Sequence, residues 1–225
     1  VRFLHDLPKI YKIFSVINNV MITVTYENVE YTIFWTDISN LKKFVGWQHG
    51  CDSKIADDIF LEQLAERIQS FCDTYFRFIP VNSKKIISVG SGVSTFELIL
   101  SKYCIDSKIF LLDKSEIILG VGERENSFSE TNSQGFYNSW EVVRDAIKTS
   151  KLNSNRFNFL DPVDDWENNL DVVMSTASWC WHYPFEFYST KLLKSLKIGG
   201  MLILEIQNTP DFRDVPKLIS ELLGN

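Results

Sequence analysis

From about residue 84 onward the chain alternates short apolar runs with segments of helical periodicity, and this rhythm restricts its fold more than any other feature. The apolar runs are Lys85-Ile86-Ile87-Ser88-Val89, then 108–112, 156–160, 170–176 and 201–206. Helices are expected between them at 94–103, 135–150 and 184–196. Strands that read as continuous apolar runs are buried on both faces, and a helix between successive strands makes them parallel. The expectation is a doubly wound, mostly parallel α/β sheet. Upstream the period changes. Ile22, Val24 and Tyr26, then Val29, Tyr31, Ile33 and Trp35, alternate on either side of Glu27-Asn28, which predicts an antiparallel hairpin. Ile59, Leu64, Ile68, Phe71, Cys72 and Tyr75 recur at three- and four-residue spacing and predict a helix over 55–78 with one buried face. The chain therefore divides into an N-terminal hairpin and helical cap region, 1–82, and an α/β domain, 83–225.

Composition narrows the function. The 225 residues are 45% hydrophobic, enough to build a core without disulfide or metal staples. A net charge of -6 argues against an extended phosphate-binding surface, so no nucleic acid partner is expected. No apolar stretch reaches the roughly 18 residues of a membrane span, so no membrane is expected either. His5, Asp6 and two lysines in the first 19 residues fit no secretory signal. Cys51, Cys72, Cys104 and Cys180 form no CxxC pair, which points to reduced thiols in a cytoplasmic protein with no metal. The stretch 114–155 is long for one crossover. Gly120, Gly122 and the polar run 123–134 predict a loop inserted before the helix.

The first strand of the α/β region runs into Gly90-Ser91-Gly92-Val93-Ser94. Glycines there allow a tight turn and a close approach of ligand to backbone, as at nucleotide sites, although many ligand-free strand-to-helix turns carry them too. Ser94 followed by Glu97 predicts a capping box at the helix start. Asp113 ends the next strand, where an acid can accept from both hydroxyls of a ribose. It suits equally an N-cap for Ser115-Glu116.

Three further segments complete a series: Asn158-Phe159-Leu160-Asp161-Pro162, Leu170-Asp171-Val172-Val173-Met174-Ser175, and Leu196-Lys197-Ile198-Gly199-Gly200-Met201-Leu202-Ile203-Leu204. In order and spacing they resemble the signature segments of Rossmann-like (class I) S-adenosylmethionine-dependent methyltransferases, over about 84–207. The resemblance implies S-adenosyl-L-methionine as cofactor, bound by Val89, Gly90, Ser91, Gly92, Asp113, Lys114, Asp161, Pro162 and Ser175. Asp113 would take the ribose and Asp161 the adenine amino group, though an Asp before Pro162 also suits a turn. Three departures stand out. The family usually has an acid where Ser88 stands, often a third glycine where Ser94 stands, and two antiparallel strands after the fifth, for which 209–225 is too short. A nicotinamide-dependent oxidoreductase is a weaker alternative, because Thr95 occupies the sixth position of the glycine pattern and Gly199-Gly200 fits the methyltransferase series.

Ser178-Trp179-Cys180-Trp181-His182-Tyr183-Pro184 follows the fourth strand, outside the carboxyl end of the sheet where ligands of doubly wound folds bind. Trp179, Trp181 and Tyr183 together read as the wall of an acceptor pocket, and each alone as a packing residue. His182 is the candidate general base, with a structural histidine the equal alternative. His49 reads as an exposed loop histidine. The function expected is methyl transfer to a hydroxyl of a small-molecule acceptor, a sugar or similar metabolite. The alternative from another class is a non-catalytic binding or scaffold module of the same fold.

Overall fold

The computed structural model describes residues 12–16, 19–42, 54–113, 139–176, 178–206 and 213–223, with the backbone alone at 12–16, 19, 40, 181–183 and 223. The expected loop before residue 135, the first four residues of the helix expected at 135–150, Lys114, His49 and His5 lie outside the described residues.

The N-terminal hairpin is β2 (Asn19–Tyr26) and β3 (Val29–Trp35), preceded by β1 (Lys12–Val16), an edge strand that the alternation of side chains did not reveal. The order is β1-β2-β3, antiparallel throughout. Glu27 and Asn28 both adopt left-handed backbone, as a two-residue hairpin turn requires. Helix α1 (Asp57–Tyr75) follows and tightens into a 3-10 turn at Phe76–Phe78. Its buried stripe is Phe60, Leu61, Leu64, Ala65, Ile68, Gln69 and Cys72. Ile59, expected on that face, is 48% exposed because it sits one residue, about 100° of helix, off the stripe.

The α/β region follows the expected rhythm: β4 (Lys85–Val89), α2 (Thr95–Tyr103), β5 (Lys108–Leu112), α3 (Trp140–Thr149), β6 (Phe157–Leu160), β7 (Leu170–Ser175), β8 (Ser178–Tyr183), α4 (Glu186–Ser195), β9 (Leu196–Leu204) and α5 (Val215–Leu223). The sheet order is β6-β5-β4-β7-β9, with every pair parallel. The chain builds outward from β4 to one edge and then crosses back to β7, so the switch point lies between β4 and β7. Strand β9 starts five residues earlier than expected. Leu170 pairs with Leu196 and Val172 with Met201, so β9 bulges between them, with Gly199 at φ +74° and Ile198 fully exposed.

Period-two alternation distributes the strand side chains between two cores. Ile86, Ile109, Leu111, Val172 and Met174 face α1, α2, α3 and the inner side of the hairpin. Ile87, Val89, Phe110, Leu112 and Val173 face Trp166, Trp179, Phe185, Tyr188, Leu192 and Val215. Much of the aromatic excess fills the first core, where Phe76 stacks on Tyr103 and meets Phe96 and Tyr26 edge-on or tilted. Two polar side chains fasten the hairpin to the helices. The Gln69 amide accepts from the Thr25 N–H at 2.9 Å and donates to the Thr25 carbonyl at 2.8 Å. Ser150 does the same for Phe34 of β3, at 2.8 and 3.2 Å.

Candidate functional site

The carboxyl ends of β4, β5 and β6 lie side by side and are laced together by backbone. The Leu112 carbonyl accepts from the N–H of Gly90 at 2.7 Å and of Ser91 at 3.2 Å, and the Asp113 N–H donates to the Leu160 carbonyl at 3.1 Å. The glycine turn, Asp113 and Asp161 thus occupy adjacent strand tips, as the sequence series implied.

Within the turn, Gly90, Gly92 and Ser94 all have left-handed backbone, with φ of +73°, +53° and +60°. At Ser94 a side chain makes that conformation costly by about 1 kcal/mol, which gives a physical reason for a glycine at this position. The capping box expected from Ser94 and Glu97 does not form. A left-handed Ser94 cannot aim its hydroxyl at the first-turn N–H groups, and no side-chain cap is made. Glu97 turns instead into the core, 4% exposed, where Ser88 Oγ donates to its Oε1 at 2.6 Å. A buried acid from the helix behind thus stands beside position 88. Burial raises the Glu97 carboxyl to about 7, with the Asp113 charge adding to the rise and the Ser88 hydrogen bond opposing it. One signal in the sequence marks this residue: it is the lone charge in Thr95-Phe96-Glu97-Leu98-Ile99-Leu100.

Asp113 is half-buried, and its Oδ2 accepts from the Gly92 N–H at 2.5 Å. Asp161 makes the turn that its proline suggested: its N–H donates to Asp164 Oδ2 at 2.8 Å and its carbonyl accepts from the Asp164 N–H at 3.0 Å. Its own Oδ1 is buried without a hydrogen-bond partner among the described residues. Pro162 lies in the same turn, and its carbonyl accepts from Lys191 Nζ at 3.0 Å.

The segment after β7 is anchored inward. Ser175, fully buried at the switch point, donates to the Val89 carbonyl at 2.8 Å and accepts from the Trp179 N–H at 2.9 Å. Trp179 is fully buried, stacked on Phe185 and edge-on to Trp166 and Tyr188, and its Nε1 donates to the Phe185 carbonyl at 3.0 Å. This corrects the expectation of Trp179 as pocket wall: its ring is enclosed in the core, with one face on Phe185, and its polar atom is satisfied there. Ser178 lies directly against Gly90, in the space that a Gly90 side chain would fill. Trp181, His182 and Tyr183 continue β8, and their side chains lie outside the described ones.

One acid escaped the sequence reading. Glu205 follows the tip of β9, where its N–H donates to the Ser175 carbonyl at 3.0 Å and its Oε2 accepts from the Tyr75 hydroxyl at 3.1 Å. Among the described residues no cluster of His, Cys, Asp and Glu could hold a metal, and no helix is long and apolar enough to cross a membrane.

Fold and site define a doubly wound α/β protein with a glycine turn and two acids at the carboxyl edge of its sheet. No family model matches the chain, and no curated protein does. Among solved structures it is similar to the StiE O-MT structure, at 20% identity and a TM-score of 0.49 over 71% of this chain and 52% of that one. It is similar also to the S-adenosylmethionine-dependent methyltransferase SibL, at 14% identity and a TM-score of 0.43, covering 73% and 44%. A third is coclaurine N-methyltransferase with N-methylheliamine and SAH, at 14% and 0.46, covering 64% and 36%. The chain spans less than two thirds of each, and every likeness is distant.

Proposed function

We propose that this chain is an S-adenosylmethionine-dependent methyltransferase domain acting on a hydroxyl of a small-molecule acceptor, a sugar or similar polar metabolite. One observation carries the reading. Asp161 holds a buried acceptor oxygen with no partner among the described residues at the tip of β6, in line with Asp113 at β5 and the glycine turn at β4. A buried acceptor without a donor costs stability, and an adenine-type amino group is the donor that would satisfy it. Asp113 would receive the ribose hydroxyls, with Val89, Ser91, Gly92, Lys114 and Pro162 around them. When bound, S-adenosyl-L-methionine supplies an electrophilic methyl group on a sulfonium. The chain's own part is then to orient the acceptor, exclude water and take up the hydroxyl proton. We assign proton removal to His182, on the strand that begins at Ser178 beside Gly90. The unpaired, buried Cys72, Cys104 and Cys180 support a cytoplasmic setting.

Calorimetry with S-adenosylhomocysteine tests the cofactor. Saturable binding weakened about tenfold or more by Asp161→Ala is expected, the loss being that of one hydrogen bond to a charged group. No binding at millimolar ligand to a folded sample overturns the reading. His182→Ala is expected to lower turnover while leaving S-adenosylhomocysteine affinity unchanged, and an unaltered rate removes His182 from the mechanism.

A second reading, a non-catalytic module of the same fold, draws on a different observation. Ser178 fills the space over Gly90 and Asp113 takes the Gly92 N–H, so part of the turn is satisfied from within the chain. A nucleoside carried through purification and detected by mass spectrometry counts against it.

A further inference from the structure

Three of the five parallel strands run directly into an acid: β5 into Asp113, β6 into Asp161 and β9 into Glu205. Asp113 and Asp161 stand to one side of the glycine turn. Glu205 stands to the other, two strands or about 10 Å along the sheet from β4. Its N–H is fixed to the Ser175 carbonyl, and its Oε2 accepts from the Tyr75 hydroxyl. Tyr75 belongs to a triad of rings, its centroid 5.5 Å from that of Phe71 and 5.9 Å from that of Phe96, with those two 6.3 Å apart. Glu205, Tyr75 and Phe71 are half-buried, so the group meets solvent at its rim. A carboxylate partly withdrawn from water gains most from a cation. Glu205 takes part in none of the ion pairs among the described residues. The Tyr75 hydroxyl fills one of the roughly four acceptor sites of such a group. Ring faces attract cations too. Carboxylate and rings therefore favour the same ligand chemistry, a compact positive charge with N–H donors.

We propose that Glu205, backed by Tyr75, Phe71 and Phe96, is the seat of a protonated amino group, and that the acceptor is an amino-bearing polar metabolite of the amino-sugar kind. That the amino group belongs to the acceptor rests on the methyltransferase reading, while the cation seat itself does not. In that reading the tips of β6, β5 and β4 hold the nucleoside, which leaves the tips of β7 and β9 to the acceptor. Glu205 is then a specificity-determining residue: it takes the amino group in a charge-assisted hydrogen bond, and another part of the molecule presents the hydroxyl. The Tyr75 hydroxyl orients the carboxylate by donating to Oε2. Asp113 and Asp161 act in the same sense, since a row of acids attracts a cationic acceptor and repels an anionic one.

The test is an NMR titration of glucosamine and of glucose into the whole chain, with and without S-adenosylhomocysteine. The two sugars differ by an amino group at one ring position. Glucosamine is expected to bind about tenfold more tightly than glucose, the difference being one hydrogen bond to a charged group. Glu205→Gln keeps the shape, removes the charge and is expected to erase that preference. Tyr75→Phe keeps the ring, removes the hydroxyl and is expected to reduce the preference; this variant serves if Glu205→Gln does not fold. Equal binding of the two sugars, no binding of either, or an unchanged preference in Glu205→Gln overturns the proposal. A preference for glucosamine with no binding of S-adenosylhomocysteine leaves the cation seat standing and removes the methyltransferase reading. Binding of S-adenosylhomocysteine with no preference between the sugars does the reverse.

Discussion

Ser178 lies against Gly90 so closely that a β-carbon on the glycine would collide with both Cβ and Oγ of the serine. The first residue of β8 and the first residue of the glycine turn are therefore fitted to each other, at the switch point of the sheet. Gly90 also has φ of +73°, so two independent constraints select glycine there.

Gly90→Ala combines the collision with left-handed strain and is expected to cost about 2 kcal/mol or more. Urea denaturation checks it. Gly90→Ala with Ser178→Gly should recover only the steric part, because the backbone strain persists. Full recovery would show that strain contributes nothing.

Stability should decline as pH rises through the acid-to-neutral range. Burial raises Glu97 from an unfolded value of 4.5 to about 7 in the folded chain. Between those values the folded state holds a proton that the unfolded state has released. Stability is thus greatest below about 4.5 for this group, falls as pH climbs to about 7, and is level beyond. The full span is about 3 kcal/mol. Thermal unfolding of Glu97→Gln against pH should lack this contribution.

Arg156→Ala should destabilise the far end of α2. The guanidinium donates to the carbonyls of Ser107 at 2.8 Å, Ser101 at 2.9 Å and Cys104 at 2.6 Å, closing the helix C-terminus. Leaving those carbonyls without that donor is expected to cost about 2 kcal/mol by denaturant titration. Arg156→Lys, a single point donor, should recover a fraction. S-adenosylhomocysteine affinity should not move.

Trp179→Ala should act on the fold. Removing a fully buried indole stacked on Phe185 is expected to cost about 3–5 kcal/mol. Trp179→Phe should retain most of the stability and all of the cofactor affinity. A Trp179→Phe protein of native stability that loses acceptor binding would restore Trp179 to the pocket.

Most of the fold was legible because its signals are local. Strand period, helix period and the left-handed Glu27-Asn28 turn are written in neighbouring residues, and each of the five parallel strands falls on an apolar run. What failed were readings that needed a partner. Strand β1 shows no alternation, and its place is set by pairing with β2. Ile59 belongs to the right helix on the wrong face, because the buried stripe is chosen by what α1 packs against. For the candidate site, the sequence placed Gly90, Gly92, Asp113 and Asp161 at strand ends, and those ends are adjacent. The direction of individual side chains was not legible: Trp179 looked like a wall and is core, and Glu97 looked like a cap and is a buried acid.

By itself the sequence determined the class of fold, a parallel sheet doubly wound with helices after a hairpin, and which residues stand at the strand tips. Those follow from periodicity, glycine backbone freedom and strand-end geometry, which act over a few residues. The tertiary structure alone decided how the aromatic excess is shared between two cores, that Ser88 and Glu97 form one buried pair, and that Ser178 faces Gly90. Each depends on residues far apart in the chain meeting in a closed space. Burial and charge there are properties of the packed assembly, and no local segment carries them.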